Sequence, residues 1–496
     1  MSLPQEHFTE TKKLSQSLTT DTLSNWLLNY GYYPENYVLP PCFKVSNYKL
    51  NKNLYFKVSS KKYEPIIDQP ITISFPKSLL TVRTYGIINP KIYHDLVFLV
   101  SQNWESINSV LFNSDLRIYS YSYPIPVIKN KLNNLSDLRS GRLIYEFLEM
   151  AENDLVSEAY RYNYLIKTDI SNFYPSVYTH SLTWAIHSKE LIRDNNRRNY
   201  DLYGNCIDKL VQNANDGCTN GLAIGSALSD LLAELLLASI DCKSSIDLKN
   251  IDFIAVRFKD DYRILCHSKE DANSILHVLQ QNLSEANLVL NEKKTFICDL
   301  PEGLYREWNI DYKKIFLKKK YFLSFKYFES VLLMVLEIDK KYPGTGVIDR
   351  FLSDITSKNG KIKISLRKKE RIKFISLLLL LKTKRPKIFP RILALVEQLY
   401  LFSNDSDLRD FIKNTFLELL KDKVSSQDED EYELIWLLYF SRRVLHDTNT
   451  YGSFTNNFIE SVNRNKQIFY KDFEDADFFY NIDDIEKPLY HYLKVF

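Results

Sequence analysis

The 496-residue sequence is short of several things, and each shortage narrows what it encodes. Its 65 Lys and Arg barely exceed its 62 Asp and Glu, leaving a formal net charge of +3. A protein gripping a long duplex neutralises many phosphates and shows a clear basic excess, so this balance argues against extensive nucleic-acid wrapping. The six cysteines (Cys42, Cys206, Cys218, Cys242, Cys266, Cys298) form no C-x-x-C and have no nearby His at ligand spacing. That argues against structural zinc and fits a reducing cytosol. The longest obvious apolar run, Ile375 to Leu381, falls far short of the ~20 residues of a membrane span. Met1 to His7 lacks the basic-then-apolar order of a signal peptide. The expectation is a soluble, cytoplasmic protein with no membrane partner. Glycine is scarce, 12 residues, against 34 Tyr and 29 Phe, aromatics that suit base stacking as well as a core.

What is present centres on Val256-Arg257-Phe258-Lys259-Asp260-Asp261-Tyr262-Arg263-Ile264. An Asp-Asp step is a poor strand former between two apolar, β-rich runs, which suggests a tight hairpin with both carboxylates exposed at its tip. Taken alone, the pair reads as a solvated turn, because an Asp-Asp step is common and says little. A third acid changes that. Tyr164 to Asp169 is a short apolar strand ending in an acid, followed by Phe173-Tyr174-Pro175. Two strands each delivering an acid at their ends can gather three carboxylates, enough to hold two metals about 3.5–4 Å apart for an in-line phosphoryl displacement. Hard oxygen ligands point to Mg²⁺.

Around these acids, Ile71 to Pro76 alternates like a strand, Leu79 to Ile88 reads as another, and Pro90 to Val100 is helical. A charged helix runs from Asp137 to Ala159, and Tyr178 to His187 forms a second with Thr179 as its cap. His180 and His187 read as packing or hydrogen-bonding residues. The loop Gly217 to Ser226 opens a long apolar helix over Ala227 to Ile240, whose start offers free N–H groups to an anion or base. Ser268 caps a further helix to Ala286, and Leu288 to Thr295 is a strand and turn. The order strand, helix, helix, hairpin, helix, strand fits a split βαβ antiparallel sheet with helices on one face. Beyond about residue 305 the pattern is helical almost throughout, without a strict period. Lys313, Lys314, Lys318, Lys319 and Lys320 and the run Arg367 to Arg371 read chiefly as solvated helix faces.

Asp169 with Phe173-Tyr174, the Asn220-Gly221…Gly225-Ser226 loop, Phe258-Lys259-Asp260-Asp261 and Leu290-Asn291-x-x-Lys294-Thr295 stand in the order and spacing of reverse transcriptases. More narrowly, Phe173 to Ala185 and Thr219 to Gly225 resemble the abortive-infection branch of bacterial anti-phage reverse transcriptases. The resemblance implies an α+β chain: residues 1–125 an N-terminal segment and fingers, 126–303 the palm, 304–496 an α-helical repeat-like domain. It implies a DNA polymerase that uses dNTPs, Mg²⁺ and a protein hydroxyl as primer, works without a template, leaves single-stranded DNA attached to itself, and forms a homo-oligomer.

Residue by residue, the resemblance makes Asp169, Asp260, Asp261 and the Ile170 carbonyl the metal ligands. Lys294 would act on the leaving pyrophosphate. Tyr174 would be the steric gate against a ribose 2′-OH, with Phe173, Asn220 and Gly221 beside it. Arg83 and Lys91 in the fingers would hold the triphosphate, as Arg does bidentately and Lys as a point charge. Tyr32, Tyr33 and Tyr37 are candidates for the priming hydroxyl. Templated enzymes carry Gln or Arg where Asn220 stands, Pro-Gln where Ala223-Ile224 stand, and Tyr with a small residue where Phe258-Lys259 stand. These departures favour untemplated synthesis. The alternatives are a conventional RNA-templated reverse transcriptase of retron or group II intron type, and a catalytically silent scaffold.

Overall fold

A computed structural model describes residues 2–77, 81–126, 150–194, 196–315, 322–357, 360–425 and 430–493. Leu79 and Leu80 of the expected second strand, residues 137–149 of the expected charged helix, and Lys318 to Lys320 lie outside the described residues. The protein is mixed α/β, about 54% helical. No helix among the described residues is long and apolar enough to cross a membrane.

The strands that matter are β1 (Ile71–Pro76), β2 (Val82–Ile87), β3 (Ile118–Ser120), β4 (Tyr164–Asp169), β5 (Phe253–Phe258), β6 (Asp261–Cys266) and β7 (Phe296–Asp299). β1 and β2 make a separate antiparallel hairpin. The other five form one sheet in the order β3-β5-β6-β4-β7, antiparallel except that β3 runs parallel to β5 at one edge. The edge strand therefore comes from the chain before residue 125, adding a parallel pair to the antiparallel sheet expected.

Side-chain alternation explains why β5 is buried at every position. Phe253, Ala255, Tyr262 and Ile264 face the main core, beneath the helices α1 (Ala227–Asp247) and α2 (Lys269–Glu285). Ile254, Val256, Phe258 and Leu265 face a smaller cluster with Ala151, Leu155, Ala159 and Leu304. Both faces of the sheet are thus covered, where helices on one face alone were expected. Two-sided burial is what lets a strand be apolar throughout.

The glycine loop does not offer its helix start to a ligand. Ala227 N–H donates to the Gly31 carbonyl at 2.7 Å, Ser229 N–H to Ser226 Oγ at 3.0 Å, and Asp230 N–H to the Ser226 carbonyl at 3.2 Å. Three of the amides that the sequence suggested for an anion, those of Ala227, Ser229 and Asp230, are already used. The loop instead braces its neighbours: Leu222 N–H donates to the Tyr174 carbonyl at 2.9 Å, and Gly86 N–H on β2 to the Ile224 carbonyl at 2.9 Å. Gly221 and Gly225 hold φ of +99° and +139°, backbone that a side chain would strain. Thr179 precedes helix His180–His187 without a capping side-chain bond, while His180 pairs with Asp208 at 2.5 Å.

Beyond the sheet lie α3 (Lys368–Lys384), α4 (Phe389–Phe402), α5 (Ser406–Ser425) and α6 (Glu431–Leu445). Helix does not continue to the end. After Leu445, residues 446–493 are mostly irregular, with His446, Asn465 and Tyr470 at positive φ. Their aromatics pack on the N-terminal segment instead. Phe478 lies against Tyr32 and Tyr48, and Tyr33 Oη donates to its carbonyl at 2.7 Å.

Candidate active site

The β5–β6 hairpin pairs Phe258 with Asp261, so its two-residue turn is Lys259-Asp260, with Lys259 at φ +52°. The register corrects the expectation of two exposed tip carboxylates. Asp260 is in the turn, Asp261 begins β6, and both are half-buried. Asp261 sits directly opposite Asp169 at the end of β4, on the face that also carries Leu165 and Leu265. Ile170 N–H donates to the Asp260 carbonyl at 3.0 Å, tying the two strand ends together.

Electrostatics follow from this crowding. Burial, then the Asp169 charge, pushes the Asp260 carboxyl above the usual carboxylate range, against the pull of Lys259 and Arg83. Asp261 is raised by burial and by Asp260 and Asp169, against Arg263 and Arg306. Asp169 Oδ1 is buried and accepts no hydrogen bond among the described residues, while Lys294 Nζ donates to Oδ2. The carbonyl of Asp169 is taken by Asn291 N–H at 2.8 Å; the neighbouring antiparallel bridge, Ile170 to Leu290, runs through Ser171 N–H and Val289 O and leaves the Ile170 carbonyl out.

Among the described residues no three His, Cys, Asp or Glu side chains are grouped so as to hold a metal ion, so Asp169, Asp260 and Asp261 do not form the single three-carboxylate set that was expected. Mg²⁺ keeps several waters and binds through one or two carboxylates plus substrate phosphates, so an open, all-oxygen group of half-buried acids with one unpartnered oxygen fits it.

Beneath the turn lies a buried network that sequence reasoning did not find. Arg257, 1% exposed, donates from Nε to Asp241 Oδ2 at 2.7 Å and from Nη1 and Nη2 to the two Glu234 oxygens, each at 3.1 Å. Its Nη1 also donates to the Lys259 carbonyl at 2.9 Å, and Lys259 N–H donates to Ser122 Oγ at 2.7 Å. Ser122 in turn donates to Glu234 at 2.5 Å, and Tyr262 Oη to Asp241 at 3.0 Å. Both main-chain groups of Lys259 are therefore anchored to charges on α1. Burial raises the Asp241 carboxyl to about 6 despite Arg257. The signal was available: Glu234 and Asp241 are seven apart, so they fall on one face of a helix whose Leu231 to Leu237 stretch is otherwise apolar, and Arg257 interrupts an apolar strand.

Tyr174 Oη donates to Asp230 Oδ1 at 2.5 Å, and Lys259 Nζ sits 3.2 Å from Asp230 Oδ2 and 6.0 Å above the Tyr174 ring. Burial first, then Asp230, lifts the Tyr174 phenol well above its ordinary value. Phe173 is buried in the core, edge-on to Tyr174 at 5.2 Å. Asn220 is exposed, its carbonyl accepting from Asn215 at 3.0 Å, and Gly221 N–H donates to Val177 O at 2.8 Å, next to the bond from Leu222 N–H to the Tyr174 carbonyl. Arg83, on β2, is close enough to feel the Asp260 charge. Lys91 donates its backbone N–H to the capping Asn89 Oδ1 at 3.0 Å and is not among the residues that line the cavity holding Arg83. Tyr32 and Tyr33 are 1% and 7% exposed with hydroxyls bonded to the Ile88 and Phe478 carbonyls, which removes them as primers; Tyr37 lines the Arg83 cavity.

Comparison with known proteins adds a domain match. No curated protein matches the chain. Among solved structures, apo telomerase from Candida tropicalis is similar at 13% identity over 77% of this chain and 70% of that one, with a TM-score of 0.33. A C. tropicalis telomerase truncated from its C-terminal domain matches at 17% identity over 34% of this chain, with a TM-score of 0.24; this chain spans 36% of its length. Telomerase from Candida albicans with a fragment of telomeric RNA matches at 12% identity over 73% of this chain and 66% of that one, with a TM-score of 0.27. The family model described as reverse transcriptase (RNA-dependent DNA polymerase) matches residues 111–328, a span that holds Asp169, Tyr174, Asp260, Asp261 and Lys294, so the chain carries a reverse transcriptase domain.

Proposed function

We propose that this protein is an anti-phage, abortive-infection DNA polymerase that builds single-stranded DNA from dNTPs without a template and from its own hydroxyl. The observation that carries the nucleotidyl-transfer reading is the in-register pairing of Asp169 with Asp261 beside the Asp260 turn, with one Asp169 oxygen unpartnered. Asp169, Asp260, Asp261 and the Ile170 carbonyl would hold Mg²⁺, which when bound neutralises the triphosphate and activates the attacking hydroxyl. Arg83 holds phosphate oxygens, and Lys294 delivers a proton or positive charge to the departing pyrophosphate. Tyr174, fixed by Asp230, fills the space beside the sugar.

Support for untemplated synthesis is the resemblance of Phe173 to Ala185 and Thr219 to Gly225, the Lys259 side chain folded over Tyr174, and the +3 charge. Tyr37 is the N-terminal tyrosine placed in the cavity that Arg83 shares. Its hydroxyl oxygen would bond to the α-phosphorus, the α–β anhydride bond would break, pyrophosphate would leave and the phenol proton would pass to water. Burial and Tyr85 raise the Tyr37 phenol well above its ordinary value, so it needs activation to attack. We read the helices beyond residue 304 as repeat-like, the chain as a homo-oligomer, and its place as the cytoplasm.

The test incubates purified protein with Mg²⁺ and each labelled dNTP alone, then compares denaturing gels before and after DNase. Nuclease-sensitive label on the polypeptide, lost in Tyr37→Phe, is the expected result. Label that appears only with an added primer and RNA template establishes the conventional reverse transcriptase instead.

A further inference from the structure

Lys77 and Arg83 flank the turn of the β1–β2 hairpin. With Arg385, Lys387 and Arg391, at and just before the start of α4, they line one cavity of about 300 Å³. Among the described residues the only acid in that lining is Asp349. It accepts from Arg385 Nε at 3.1 Å and lies 3.3 Å from Lys387 Nζ, while Arg391 donates to its backbone carbonyl at 2.8 Å. Asp339 adds a second charge near Arg385 and Asp260 one near Arg83, yet within the lining itself five cations face one carboxylate. Burial alone would raise Asp349, yet Lys387, Arg385 and Arg391 hold it below its ordinary range. Burial lowers the Lys387 ammonium, and Arg385 and Arg391 lower it further in spite of Asp349. In a chain of net charge +3, so much positive charge in one concavity is a local concentration that an anion would relieve.

Asp169, Asp260 and Asp261 do not line the cavity, but one of its cations stands near them. Arg83 feels Asp260, and Tyr37 and Tyr85 complete the wall with phenols rather than carboxylates. Its volume suits a few linked phosphates and excludes a duplex. We propose that this cavity binds an oligophosphate, either a nucleoside triphosphate tail or the pyrophosphate split from it, and that Arg385, Lys387 and Arg391 complete a site begun by Lys77 and Arg83. The identity of the oligophosphate rests on the polymerase reading; the binding does not. The helices after residue 304 thereby take part in handling phosphate, not only in covering the sheet.

The full chain is titrated calorimetrically, without metal, with pyrophosphate, tripolyphosphate, dTTP and orthophosphate, alongside Lys387→Gln and Lys77→Gln. Pyrophosphate and tripolyphosphate are expected to bind, more tightly than orthophosphate and about tenfold more weakly in each variant. Should Lys387→Gln fail to fold by circular dichroism, Lys77→Gln still decides, because Lys77 is exposed on the hairpin and outside the Asp349 ion pairs. Equal losses for dTTP and pyrophosphate identify the triphosphate tail; a loss confined to pyrophosphate identifies a release site. No oligophosphate binding, binding unchanged in the folded variants, or displacement only by a single-stranded oligonucleotide overturns the proposal. Since nothing turns over in the titration, a protein that binds oligophosphate here yet never incorporates a nucleotide sinks the polymerase reading and leaves the cavity standing.

Discussion

The ammonium of Lys259 lies 3.2 Å from the Asp230 carboxylate, pinning the turn that carries Asp260 to the first turn of α1. The same carboxylate holds the Tyr174 hydroxyl, so one acid fixes both the turn and the residue proposed to stand beside the sugar. Tyr174→Ala should raise ribonucleotide use relative to deoxyribonucleotide use by about tenfold or more. Asp230→Asn should shift the ratio in the same direction by less, since the ring remains but loses its anchor. Side-by-side incorporation assays read both; an unchanged ratio in Tyr174→Ala makes the residue packing alone.

Asp169→Asn and Asp260→Asn should each cut nucleotide incorporation by about 10²-fold or more while leaving circular dichroism unchanged, because each removes charge from a site whose chemistry is mainly electrostatic. Near-normal incorporation by both variants would refute the assignment.

Metal-free stability should respond to the same carboxylates in the opposite sense. Asp260 and Asp261 have folded-state pKa values above their unfolded ones, so the folded state favours their protonated forms. The stability this contributes is complete below the unfolded pKa, about 3.9, and is lost as pH rises through the raised folded values. At pH 7 in EDTA, Asp260→Asn should therefore melt about 1–2 °C above wild type, with the gap closing toward pH 4. Differential scanning calorimetry at several pH values checks it, and a gap that widens on acidification contradicts it.

Removing Arg257 should be severe. Arg257→Ala strands Glu234 and Asp241 without their partner inside the sheet–helix core, a loss of about 3–5 kcal/mol. Arg257→Met with Glu234→Gln and Asp241→Asn should recover most of the stability, because no buried charge is left unpaired. Incorporation should stay low in that triple variant if the network's task is to hold the Lys259 carbonyl and thus the turn. Denaturant melts and incorporation assays together separate the two effects.

The hairpin around Lys259-Asp260 was legible because Phe253 to Phe258 and Tyr262 to Cys266 have no competing period and no glycine or proline between them. Its fine placement was not. A two-residue turn can take either Lys259-Asp260 or Asp260-Asp261, and the choice is made by Ser122 and Arg257, which grip Lys259 from parts of the chain the local pattern does not sense. Ser268 was readable as a cap because its partner is three residues away, at Asp271. The second covered face of the sheet was not, because its partner segments, residues 150–162 and Leu304, are polar-looking helix and loop whose few apolar residues meet only in space. The helical pattern after residue 305 misled at its end, where Phe469, Phe473 and Phe478 spend their apolar surface on the N-terminal segment and need no helix of their own.

That last arrangement has a consequence for synthesis. Tyr33 donates to the carbonyl of Phe478, and Ser46 exchanges backbone bonds with Asp477. An aromatic cluster begun at Tyr32, Tyr33 and Tyr48 is completed by a segment that is made long after it, around Phe478. At a translation rate of about 5–20 residues per second, Tyr32, Tyr33 and Tyr48 wait roughly 20–90 s for their partners. During that interval their apolar faces are open to any other chain, so this protein is an expected client of holding chaperones, and a message truncated before codon 469 should yield an aggregating product even though every residue of the acid site would be present.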